Sequence, residues 1–184
     1  MATCDYLLDA AIKGIDCANP NAKGVEATGK ILNRADIDAI TYDADKPNVI
    51  DQMALVTQKK AYLITQPNKS PFNGTKVEMT AGTYQNTFTK TLSFVIINHG
   101  NNVAKQIAEI SNGEFVVVLK NKKVEDGSPA YEVFGVDDGL VATTVVRELY
   151  NEDVLAGWAV TMTETGVMNP AVFMTEACYD SLDQ

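Results

Sequence analysis

The 184-residue chain is 46% hydrophobic, enough apolar material for one domain with a well-buried core. It holds no stretch of about 18 apolar residues that could span a bilayer as a helix, and its formal charge of −9 leaves no basic footprint for gripping DNA. Residues 121–184 hold 12 acids against 3 bases, which reads first as a solubilising face and only second as a surface past which nucleic acid slides.

The opening "MATCDYLLDAAIKGIDC" carries acids where a secretory leader needs a basic segment, so the expectation is mature sequence of a cytoplasmic product. Leu8, Ile12 and Ile15 recur at helical spacing over residues 5–15, and "CANPNAKG" then breaks the pattern. Cys4, Cys17 and Cys178 form no CxxC pair, and their odd number argues for free thiols, with a Cys4–Cys17 bridge left open. "GVEATGKIL" predicts the first strand, and "ADIDAITYD" continues it as an extended segment. "VIDQMALVTQKKAYLITQ" predicts two strands or one bent strand.

Residues 66–87 differ in kind. Pro67, Asn68, Ser70, Pro71, Asn73 and Gly74 crowd together, and a connection this long with little apolar content predicts a hairpin or loop protruding from the domain. "TLSFVIIN" then puts Leu92, Phe94 and Ile96 on one strand face and Val95 and Ile97 on the other. Val103, Ile107 and Ile110 mark one side of a helix over about 101–112, with Asn101 or Asn102 as its N-cap and Gly113 as its stop. Phe115 to Leu119 returns as strand. "AYEVFGV", "LVATTVV" and "GWAVTMTE" alternate at a period of two, separated by the turn signals "EDGSP", "DDG" and "YNEDVLAG". One helix among many short strands predicts a mainly β fold: an antiparallel β-sandwich or barrel with one flanking helix. The domain is expected over 24–165, with an N-terminal arm at 1–23 and a C-terminal arm at 166–184.

Catalytic chemistry finds no constellation in this sequence. His99, the one histidine, ends an apolar strand, where a hydrogen-bonded structural role is commoner than general-base work. No GxSxG occurs, and "NHGNN" lacks the Lys-Ser/Thr of a phosphate loop. Asp137-Asp138-Gly139 has turn chemistry without the alternating oxygen ligands of a calcium loop, and no clustered N/S set suits zinc. The expectation is no enzyme, no metal and no cofactor.

"TKTLSFVIINHGNNVAKQIAEISNGEFVVVLKNKK" followed by "SPAYEVFGVDDGLVATTVVRELYNEDVLAGWAVTMT" resembles the tail tube (major tail) proteins of long-tailed bacteriophages. Their plan is shared by contractile-tail inner tubes and the ring protein of type VI secretion, and the likeness covers about residues 24–165. It implies hexameric rings stacked into a tube in the virion tail, assembled in the host bacterial cytoplasm, that conducts DNA without binding it specifically. The partners implied are further copies of the chain and other tail proteins, with no membrane. It also implies an acidic lumen, for which Glu125, Asp126, Asp137, Asp138, Glu148, Glu152 and Asp153 are the candidates. Contacts between subunits would fall to Leu8, Ile12, Pro67, Pro71, Phe72, Met79, Tyr84, Val172, Phe173 and Met174. Other readings stay open: a tail terminator, connector ring or capsid decoration protein on a related plan, a cellular β-sandwich binding module, or an enzyme with an unfamiliar site around His99.

Overall fold

Four consecutive apolar residues in an extended chain demand cover on both faces, and Val116 to Leu119 obtain it: all four are fully buried. The computed structural model describes residues 24–67, 69–98, 100–124, 127–147, 149 and 157–183. The strands are β1 (Val25–Asn33), β2 (Ile37–Tyr42), β3 (Val49–Leu55), β4 (Tyr62–Thr65), β5 (Lys76–Thr80), β6 (Thr87–Ile96), β7 (Glu114–Asn121), β8 (Tyr131–Phe134), β9 (Leu140–Arg147), β10 (Trp158–Val167) and β11 (Val172–Met174). A helix, α1 (Asn101–Asn112), precedes β7, and a shorter one, α2 (Glu176–Ser181), follows β11.

Strand β7 is the common wall of two cores. Side chains alternate across a strand, so Val116 and Val118 pack with Leu32, Ile50, Met53, Val133, Val172 and Met174 on one side. Val117 and Leu119 pack with Leu92, Phe94, Phe134, Leu140, Val160 and Met162 on the other. One edge of β7 pairs with β1. The other edge is shared: β8 pairs with Val117–Lys120, and β9 takes over at Glu114 and Phe115. The sheet forks there, one branch running β8-β11-β3-β2 and the other β9-β10-β6-β5. The expected mainly β architecture with a flanking helix is what the chain forms. Helix α1 buries Val103 and Ile107 against the second core and lies beside β9.

Several details depart from the sequence reading. The sheet is mixed, because β11 runs parallel to β3, and it is not closed into a barrel. The N-cap of α1 is Gly100, with φ of 135° and no side-chain cap, rather than Asn101 or Asn102. Gly113 does end the helix, for a steric reason: a Cβ there would lie 2.6 Å from the Phe115 ring. Segment 49–66 forms two strands with different partners, β3 joining β2 and β11, and β4 joining β1. The helix expected over 5–15 lies outside the described residues.

The C-terminal segment is not a free arm. Its supposed boundary at 165 falls inside β10, and Val172 and Met174 are fully buried in the first core. Helix α2 is capped by Thr175, whose hydroxyl accepts from the Cys178 N–H at 3.3 Å. The buried Lys30 pins it to β1: its ammonium donates to the Tyr179 carbonyl at 2.7 Å, meets Asp183 at 2.9 Å and lies 3.9 Å from the Tyr179 ring centroid. Tyr179 stacks on Tyr131, ring centroids 4.2 Å apart. The Leu182 carbonyl accepts from Ala61 N–H at 2.9 Å, and the Leu182 side chain is fully buried.

Two outcomes are expected. Met174→Ala opens a cavity in a closed core and lowers unfolding free energy by about 2–5 kcal/mol in urea titration; an unchanged midpoint would mean that the segment is an arm after all. Burial, Tyr131 and the Asp183 and Asp180 carboxylates push the Tyr179 phenol up to about 12, against about 10 in an unfolded chain. Between those values the unfolded chain has lost a proton that the folded chain keeps, so stability falls as pH rises through that window. Urea midpoints at about pH 9 and about pH 11 will therefore differ less in Tyr179→Phe than in the parent.

Candidate functional site

Paired strands satisfy each other's N–H and C=O groups, so the functional interest lies where pairing stops. Among the described residues it stops at three strands: β2 pairs with β3 alone, β4 with β1 alone and β5 with β6 alone.

The stretch leading to β5 is an irregular turn, with Ser70, Phe72 and Gly74 all at positive φ. Phe72 anchors it by entering the second core at 3% exposure. That removes Phe72 from the candidate contact surface, since its apolar area is consumed inside the chain. The chain then forms a hairpin with β6, the finger, whose β5 strand is the edge of the β9-β10-β6-β5 branch while its β6 strand also pairs with β10. All five residues of β5 are exposed, Met79 is 58% exposed and Tyr84 in the following turn is 99% exposed. The expected hairpin is therefore present, built around β5, which lies along the sheet as its edge strand.

Between β4 and the far end of β6 lies a groove of about 1050 Å³, lined by Leu63, Ile64, Phe94, Ile96, Ile110 and Phe115 among others. The Gln66 side chain spans it. Its amide donates to the Val95 carbonyl at 2.9 Å and its carbonyl accepts from the Val95 N–H at 2.8 Å. One buried amide thus does for Val95 what a neighbouring strand would do, and Ser93 N–H is met the same way by the Thr75 hydroxyl at 3.2 Å. The Gln66 contacts bridge the end of β4 to β6 without a backbone ladder, and the Thr75 contact extends the β5–β6 pairing by one residue. On the outer side of the groove Tyr62 and Leu63 stand 56% and 70% exposed.

A second cluster sits under the turn between β8 and β9. Gly135 has φ of +85°, and a Cβ there would collide with the Phe115 carbonyl. The Glu164 carboxylate, 1% exposed, accepts from the N–H groups of Gly135 at 3.0 Å, Asp137 at 2.9 Å and Asp138 at 3.0 Å. Lys90 faces it across the β6–β10 pair, Nζ to Oε2 at 3.8 Å, also 1% exposed. Arg34 donates to the Asp137 carbonyl from the outside. Burial and the Glu164 charge raise the Asp137 carboxyl above the ordinary aspartate value, while Lys90 and Arg34 oppose the rise. Burial and Asp137 likewise raise the Tyr42 phenol.

The predicted residues are scattered over these features. Met79, Tyr84 and Pro67 are exposed on or near the finger, and Pro71 is half-buried. Val172 and Met174 are core and Phe173 is half-buried between β3 and β8, so of this trio only Phe173 keeps any exposed surface. Asp138 is exposed and Asp137 half-buried. Leu8, Ile12, Glu125, Asp126, Glu148, Glu152, Asp153 and His99 lie outside the described residues. The sequence reading passed over Lys90, Glu164 and Gln66. The first two carried a signal: Lys90 continues the Leu92, Phe94 face and Glu164 continues the Val160, Met162 face, so both were due to point inward. Gln66 carried none.

Among the described residues, no group of three or more His, Cys, Asp or Glu is placed to hold a metal ion, and no helix is long and apolar enough to cross a membrane. Compared with protein-family models, curated proteins and solved structures, the chain matches none.

Gln66→Ala leaves the Val95 N–H and C=O without their partner and is expected to cost about 1–3 kcal/mol. Hydrogen exchange at the Val95 amide will accelerate; unchanged protection there would show that the amide bridge does not hold β4 to β6.

Proposed function

We propose that this chain is a structural protein of a bacteriophage tail tube, forming rings of six that stack into a DNA-conducting channel. The observation that carries the reading is that two of the three unpaired strand edges are dressed with strongly exposed apolar side chains: Tyr62 and Leu63 on β4, Met79 on β5 and Tyr84 beyond it. A chain that works alone covers, charges or shortens such edges. Here β5 carries only Lys76 and Glu78 as charges, and they pair with each other at 2.7 Å.

The two edges lie on different parts of the chain, one on β4 and one on the finger. Joining one edge to the other on the next copy is a head-to-tail contact, which closes into a ring when the rotation per subunit allows. The acidic last third of the chain suits a bore that repels phosphate. Other tail proteins would cap the tube, and the reading includes no enzymatic step and no cofactor.

Light scattering after gel filtration and negative-stain microscopy test the proposal, with rings or tubes expected. A protein that remains monomeric at high concentration would sink it. The double variant Leu63→Lys, Met79→Asp is expected to stay monomeric while its stability remains within about 0.5 kcal/mol of the parent for each surface change.

A further inference from the structure

The Lys90–Glu164 pair is an expensive way to hold two strands together. Lys90 Nζ is buried and finds no hydrogen-bond partner among the described residues, and a buried ammonium with donors unmet is strongly destabilising. Its one polar neighbour at salt-bridge distance is the Glu164 carboxyl, 3.8 Å away, which is held still by three backbone N–H groups. The two residues are direct cross-strand partners in the β6–β10 register, so neither can drift from the other.

We propose that Lys90 and Glu164 condense into an intramolecular isopeptide bond that staples β6 to β10. A lysine amine is a nucleophile once it has lost its proton. The ammonium passes one proton to Oε2, the atom nearest Nζ, and the neutral amine attacks Cδ. Oε1 takes the negative charge in the tetrahedral intermediate, where the Asp137 and Asp138 N–H groups at 2.9 and 3.0 Å form its oxyanion hole. A second proton moves from nitrogen to Oε2, the Cδ–Oε2 bond breaks, and water leaves. One ammonium and one carboxylate thus become one amide and one water, with no oxidant or other reactant needed. Fixed proximity in a water-excluded site supplies the driving geometry. The product amide carries no charge, which removes the cost of the buried ammonium. The proposal stands whether or not the chain assembles.

Intact mass spectrometry of the purified full-length chain under denaturing conditions decides it. The expected mass is about 18 Da below that of the sequence, one water having been lost. Tryptic digestion is expected to spare the bond after Lys90 and to release a branched peptide joining the segments around 90 and 164. Lys90→Met and Glu164→Ala are each expected to recover the full sequence mass and yield only linear peptides. A parent chain of full mass with ordinary cleavage after Lys90 would overturn the inference. So would a water loss traced to a linear peptide containing Asp126-Gly127 or Asp138-Gly139, the mark of a succinimide instead.

Discussion

Everything in this fold passes through the fork at the Glu164 carboxylate. The second edge of β7 is handed from β8 to β9 across a tight turn whose backbone N–H groups point inward. Buried N–H groups without acceptors are not tolerated. Glu164 reaches across from β10 and accepts three of them at once, and Lys90 on β6 supplies the opposite charge. The turn, the two sheet branches and the β6–β10 pair are thereby tied to one side chain. A carboxylate in this position specifies the branch point in a way that no apolar residue could.

The surface logic is the complement of that interior. Where the chain can finish a strand from within itself it does so by side-chain substitutes, Gln66 at Val95 and Thr75 at Ser93. Where it cannot, at β4 and β5, apolar side chains stand in solvent. The contrast supports the assembly reading, because the same molecule that places a buried glutamine against one backbone pair leaves the apolar β4 and β5 edges open.

How much of this was legible follows from how local each signal is. The alternation in "GWAVTMTE" and the continuous apolar run in "FVVVL" place β10 and β7 correctly, since period and burial on both faces are written in adjacent residues. The finger is legible from its turn residues and its lack of apolar content. The C-terminal segment misleads: Val172, Phe173 and Met174 form too short a run to announce a strand, and its partners, β3 and β8, lie far away in the chain. Phe72 misleads for a similar reason, being one apolar residue in a polar loop whose burial depends on a distant core. Gln66 is invisible in principle, because a glutamine next to a proline looks like any loop residue until the strand it completes is known.

The position of β11 has a consequence for how the chain is made. The first core is sealed by Val172, Met174, Cys178 and Leu182, which follow every other buried residue of either core in the chain, against β3, which is synthesised more than a hundred residues earlier. The second core needs nothing beyond β10. On the ribosome, where folding proceeds from the N-terminus, one half of the molecule can consolidate while the other waits, unsealed, for the last turn of α2 to emerge. A chain stopped before β11 would expose the open face of the first core while its second core is already complete.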